Sequence, residues 1–206
     1  MSKEYKSARH ISFDIIYNFL VTNNKLKSII TDKLSKVDAE IKDKAFIKEL
    51  STGVIRHYHY LNYHINYFID KSTIDKKSLT ILLIGSYQLK YMNSVPDYAA
   101  ISTSVNIAKE KIKNKHTFIN AVLRKISISN IENKLPLHIK YSCPEWLYDS
   151  IKKDYGYAKA NNIIKNLNKN IKINFFKKNN SPTIIKRKYV DNINKNKILG
   201  IYEIND

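Results

Sequence analysis

With 206 residues, 43% of them hydrophobic, the chain holds enough apolar material for one sizeable domain plus a smaller appendage, which excludes a disordered tail. No apolar run reaches the roughly eighteen residues of a membrane span, and the opening Met-Ser-Lys-Glu-Tyr-Lys lacks a signal peptide's apolar stretch, so a cytoplasmic protein without membrane contact is expected. The single cysteine, Cys143, excludes an internal disulfide, and the net charge of +18 favours polyanions, nucleic acid first, through counterion release.

Positive charge is spread along the chain. Residues 1–135 carry 22 Lys and Arg against 12 Asp and Glu, and residues 136–206 carry 14 against 6. Lysine, asparagine and isoleucine are all abundant, as an AT-rich coding sequence would produce, so arginine is the more informative cation. Only Arg9, Arg56, Arg124 and Arg187 occur. Where lysine is the default, these few guanidiniums are candidates for shaped, bidentate contacts.

In chain order, residues 5–21 predict a helix with Ala8, Ile11, Ile15 and Phe19 on one face and Arg9 and His10 beside its start. Leu26 to Leu34 predicts a second. Asp38 is the expected N-cap of the third helix, with Glu40 in the first turn where the helix dipole favours an acid. Ile47, Leu50, Val54, Tyr58, Leu61, Ile65 and Phe68 then advance in steps of three and four, predicting one long helix bent near Gly53. Gly53 is either a packing notch or a place where a ligand backbone approaches, and Arg56 stands near the same face. His57, His59 and His64 are spaced by two and five, which does not suit a metal site.

Leu79 to Tyr91 predicts a further helix, with Gly85 and Ser86 small enough for a close neighbour. Val95-Pro96 stops it, and Asp97 caps the next, whose core face is Ile101, Val105, Ala108 and Ile112. Lys109, Lys111, Lys113 and Lys115 form its basic end, where cations suit the dipole. Phe118 to Lys125 closes the set: Ile119, Val122, Leu123 and Ile126 make an apolar stripe, while Asn120 and Arg124 stand one turn apart. An amide and a guanidinium so placed suit a phosphate or a base edge, and equally a helix bridge and a solvated cation. Residues 1–130 thus predict an all-α bundle of about six helices. Beyond them, Leu135-Pro136 and Cys143-Pro144 punctuate a linker. A helical segment extends from Pro144 to Leu167, broken at Gly156, and an alternating strand from Ile171 to Phe176. Pro182–Lys188 and Ile198–Ile204 are short strands or helices. Residues 131–206 are too short and polar for a good core of their own, a small incomplete α+β segment.

Five motifs in order carry a family resemblance: Ala8-Arg9, Leu50-Ser-Thr-Gly-Val-Ile-Arg56, Ile84-Gly-Ser-Tyr-Gln-Leu-Lys-Tyr91, Val95-Pro-Asp-Tyr-Ala-Ala100 and Phe118-Ile-Asn-Ala-Val-Leu-Arg124. Together they resemble the all-helical RNA-binding fold of the antitermination factor NusB, which also forms the N-terminal domain of the small-subunit (16S) rRNA cytosine-5 methyltransferase family RsmB (Sun, Fmu). Downstream, Tyr141-Ser-Cys-Pro-Glu-Trp-Leu147 is similar to that methyltransferase's His-Pro-x-Trp-Leu, with Cys143 in place of histidine. Ile171-Lys-Ile-Asn174 is similar to its Leu-Arg-Val-Asn.

The resemblance implies an RNA-binding module with Arg9, Arg56, Asn120, Arg124 and Lys125 as its contacts and small-subunit rRNA as partner. The alternative is a stand-alone NusB-like antitermination factor. Homodimerisation is left open. In the methyltransferase family a Rossmann-like domain holds S-adenosylmethionine and a cysteine nucleophile. Here no two of the four glycines are close enough for G-x-G-x-x-G, and Cys143 lies in the linker motif. The expectation is a chain lacking the catalytic domain, inactive alone, with no cofactor or metal of its own and its catalytic half elsewhere.

Overall fold

The computed structural model describes residues 7–69, 74–131 and 135–168 in full, and the backbone of 174–176, 193–196 and 201–204. It divides into a unit of residues 1–167 and a second of residues 168–206. The first is all helical: α1 (Ala8–Val21), α2 (Leu26–Ser35), α3 (Ile41–Arg56), α4 (Tyr58–Phe68), α5 (Lys76–Tyr91), α6 (Asp97–Lys111), α7 (His116–Ile128), α8 (Leu137–Lys140), α9 (Glu145–Tyr155) and α10 (Tyr157–Asn166).

The bundle is built around α5. Every residue from Ser78 to Gln88 is buried, which is what a helix apolar or small on all sides must do. Leu82, Leu83 and Ile84 meet Leu50 and Val54 of α3, Leu61 and Ile65 of α4, and Ile119, Leu123 and Ile126 of α7 in one core. The α1 stripe serves a smaller cluster instead, where Ile11 and Ile15 pack with Ile29, Ile30 and Ile47. Phe13 and Ile16, on the other side of α1, enter the main core.

Two glycines set helix approach. A Cβ on Gly53 would fall on the Tyr87 ring, and one on Gly85 would lie 2.6 Å from a Leu123 methyl. Gly53 is therefore a notch that seats Tyr87, whose hydroxyl donates to Glu49 at 2.7 Å.

Several expectations are corrected. The long helix predicted across 47–68 is two helices, and the break falls at His57 rather than Gly53. No proline or glycine marks it. His57 stacks on Tyr91 with centroids 4.1 Å apart, and the first amides of α4, those of His59 and Tyr60, donate to Ser142 Oγ at 3.1 and 3.4 Å. That cap comes from beyond the bundle and holds a helix start that local sequence does not announce. The residue before α3 is Glu40 rather than Asp38, and Pro96 rather than Asp97 precedes α6; Asp97 sits in the first turn, where only its dipole role applies. The buried face of α6 is Ala100, Ser104, Ile107 and Ala108, so Ile101 and Val105 are left half-buried on another side. Small residues win that face because α5 and α7 both crowd it.

The α9–α10 pair turns at Gly156, whose φ of 78° suits glycine, as expected. It buries Cys143, Tyr148, Ala160 and Ile164. Burial pushes the Cys143 thiol up, the setting of an inert core cysteine. In the second unit β1 (Asn174–Phe176) and β2 (Ile193–Asn196) flank β3 (Ile201–Ile204) in an antiparallel sheet, with Phe175 opposite Tyr202 and Lys195 opposite the same residue. The strand expected from Ile171 is described from Asn174; Ile198–Ile204, expected as a short strand or helix, is described as a strand from Ile201; Pro182–Lys188 lies outside the described residues.

Candidate nucleic-acid interface

α6 and α7 run antiparallel through a tight turn in which Asn114 takes a φ of 60°. Asp75, the N-cap of α5, also reaches the residue that precedes α7. Its carboxylate accepts from the Ser78 amide at 2.9 Å, the Ser78 hydroxyl at 2.7 Å and Lys115 Nζ at 2.7 Å. Burial alone would raise its pKa, but these donors outweigh it and hold the carboxyl well below the usual range. Lys115 immediately precedes α7, so one acid ties two helix starts together.

Between α6 and α7 lies an open groove of about 970 Å³. From Tyr98 to Lys109 it runs along α6 for about 16 Å. Asn120 and Arg124, the pair singled out by spacing, both line it, and Arg124 Nε donates to Asn120 Oδ1 at 3.3 Å. That uses one of five guanidinium donors, and the side chain is exposed. Lys109 and His116 stand at one end; Tyr98, 76% exposed, and Ile128, 85% exposed, stand at the other. Among the described residues, no carboxylate lines the groove. Its polarity is therefore a gradient from cation to aromatic, with an amide and a fork of donors between.

A second cleft of about 500 Å³ opens on the other side of α6, against the start of α1. Asn106 and Lys109 border both clefts. Arg9 lines this second cleft while serving the fold: its Nε donates to Gln88 Oε1 at 2.7 Å and its guanidinium lies 4.9 Å from the Phe46 ring centroid. Burial lowers its pKa, yet a guanidinium so far above neutrality stays charged. Across the same cleft His10 Nε2 lies 2.9 Å from Glu110, joining α1 to α6.

The structure thus brings Asn120 and Arg124 into one groove and sets Arg9 in the adjoining cleft. It leaves Arg56 exposed in the last turn of α3 and Lys125 exposed on α7, neither lining either cleft. Sequence reading missed Tyr98 and Asn106 and assigned Lys109 to the helix dipole alone. The signal was present in α6 as Tyr98, Ser102, Asn106 and Lys109, a second stripe at helical spacing.

A family model described as the NusB family matches residues 6–127. The chain is 29% identical over 175 residues to the probable ribosomal RNA small subunit methyltransferase B of Synechocystis sp., a match covering 80% of this chain and 39% of that protein. The corresponding protein of Bacillus subtilis is 31% identical over 156 residues, 71% of this chain and 34% of its own. The transcription antitermination protein NusB of Pseudoalteromonas translucida is 28% identical over 123 residues, 58% of this chain and 90% of its own. The chain therefore spans little more than a third of the methyltransferase relatives and nearly all of NusB. A chain from the crystal structure of antitermination factors NusB and NusE in complex with dsRNA matches with a TM-score of 0.55 at 19% identity, over 62% of this chain and 98% of that one. A bundle packed around α5, with one family model running from the start of α1 to the end of α7, makes the chain a member of the NusB family.

Proposed function

We propose that the chain is an RNA-binding module of the kind that opens a small-subunit rRNA (cytosine-5) methyltransferase, and that it works in the cytoplasm. The observation that carries RNA binding is the α6–α7 groove, which holds Asn120, Arg124 and Lys109 and no carboxylate among the described residues, on a chain of charge +18. Phosphates are drawn by the cations, and the exposed Tyr98 ring offers a surface on which an unstacked base can lie. The methyltransferase assignment rests on reach. Those relatives match over 175 and 156 residues, beyond the 6–127 of the family model. In this reading these 206 residues grip small-subunit rRNA, while S-adenosylmethionine and methyl transfer belong to a catalytic domain outside them.

An antitermination factor is the second reading, favoured by the near-complete coverage of NusB itself. The test measures affinity for small-subunit rRNA fragments against salt. Arg124→Glu is expected to weaken binding at least about tenfold and to flatten the log–log salt slope by about 0.7, one phosphate contact on a single strand. An unchanged slope rules out the groove. Deleting residues 136–206 with no loss of affinity or of RNA preference favours the antitermination reading.

A further inference from the structure

α4 presents a second, chemically different groove. His59, Asn62, Tyr63, Asn66 and Tyr67 recur at helical spacing on its outer face, while Tyr60, Leu61, His64 and Ile65 face the core. The outer face of a bundle helix is ordinarily charged. Here the whole of α4, Tyr-His-Tyr-Leu-Asn-Tyr-His-Ile-Asn-Tyr-Phe, contains no Lys, Arg, Asp or Glu, in a chain where 26% of residues are one of these. Ile139 of α8 closes one side, giving a groove of about 340 Å³. Ser142, with a φ of 52°, pins α8's end to α4 by accepting the His59 and Tyr60 amides. The groove therefore exists only where the segment after the NusB-family match, residues 6–127, docks on the bundle.

Its lining is two amides one turn apart, two phenol rings one turn apart, an imidazole and an isoleucine. The Asn62 and Asn66 side chains are half-buried and make no hydrogen bond among the described residues. Burial, then the nearby His138, pushes His59 down, so at neutral pH its ring is uncharged. Such a lining attracts no phosphate. It suits a flat, uncharged group with adjacent donor and acceptor: asparagine pairs bidentately with the N6 and N7 edge of adenine, and tyrosine faces take a stacked base.

We propose that the α4–α8 groove is a second binding site, which takes one unstacked nucleobase, adenine before the others, with its face on Tyr63 or Tyr67 and its edge on Asn62 or Asn66. The base comes either from RNA already held at the α6–α7 groove, in which case the site rests on the RNA-binding reading, or from a free adenine nucleoside, in which case it does not.

The experiment uses the full 206-residue chain labelled with ¹⁵N. Adenosine at millimolar concentration is expected to shift the side-chain amide signals of Asn62 and Asn66 more than uridine does, with little dependence on salt. Asn66→Ala is expected to weaken adenosine about tenfold, the scale of one lost bidentate base contact. Arg124→Glu leaves adenosine binding unchanged. No shift with adenosine, or equal shifts with uridine, overturns the proposal, and the wild-type spectrum decides this without any variant having to fold. Oligo(A) bound more tightly than oligo(U), with the preference lost in Asn66→Ala, identifies RNA as the source. Adenosine binding without that preference identifies the free nucleoside. Adenosine binding in a protein that binds neither oligonucleotide nor the small-subunit rRNA fragments sinks the RNA reading and leaves this site standing.

Discussion

At the scale of single residues, His57 is the most telling. It ends α3, precedes α4, stacks on Tyr91 and lies tilted beside Tyr87. Burial first, and then the Arg56 charge, lowers its pKa, with Glu49 opposing. The folded state holds it neutral, whereas the unfolded chain takes up a proton near pH 6.5, so its contribution is complete above that value and is lost as pH falls. His59 is shifted the same way, so the two act together. Tm is therefore expected to fall between about pH 7.5 and 5.5, and to fall less in His57→Phe, which keeps the stack and removes the titration; equal slopes in thermal scans would refute this. Gly53 supplies a sharper case. Alanine there gains helix propensity of up to about 1 kcal/mol, but its methyl meets the Tyr87 ring, which is held by Glu49 and cannot swing away freely. We expect Gly53→Ala to cost about 1–3 kcal/mol in urea unfolding, the scale of overpacking, and a stabilised variant would show that the ring yields.

Among the elements, α7 was legible and α6 was not, for a physical reason. α7 is packed along one stripe, so Ile119, Val122, Leu123 and Ile126 announce its face, and the polar pair Asn120 and Arg124 falls out on the other. α6 is pressed from two sides, and close approach there selects Ala100, Ser104 and Ala108, residues whose size carries the message and whose hydropathy does not. Ile107 is the one large residue of that face, while Ile101 and Val105 line the groove, so periodicity pointed to the wrong face. The α3–α4 break was invisible because its cap, Ser142, lies 83 residues further on. Asp75 was overlooked as well, though an Asp three residues before a serine is a recognisable cap. Its bond to Lys115 is half exposed and contributes little by itself, so the cap dominates. Asp75→Ala is expected to cost about 1 kcal/mol and to speed amide exchange at the starts of both α5 and α7. Faster exchange at α5 alone would mean that Lys115 does not hold α7 in place.

For the molecule as a whole, the question is which parts of the chain depend on each other. Composition pointed to polyanions, but charge without coordinates could not separate Arg9, half engaged in the α1–α3–α5 contact, from Arg124, which lines a groove. Nor could it show that the compact first unit runs to Leu167. α8 to α10 have a small core of their own in Cys143, Tyr148, Ala160 and Ile164, too small to stand alone. They touch the bundle at the start of α4, which, like α1 to α3, α6 and α7, has no side-chain cap from its own N-cap residue. Two truncations separate the parts. A chain ending at Leu167 keeps Ser142, all three helices α8 to α10 and the whole main core, and is expected to melt at the temperature of the 206-residue chain. A chain ending at Asn130 keeps every core helix of the family match yet loses the Ser142 hydroxyl, leaving the His59 and Tyr60 amides to water. It is expected to be less stable by about 1 kcal/mol, the typical worth of a cap, with the loss concentrated in amide exchange along α4. Ser142→Ala in the full chain should reproduce most of that loss. If the shorter truncation melts like the 206-residue chain, the linker is carried by the bundle without supporting it, and the α4–α8 groove loses its mechanical basis.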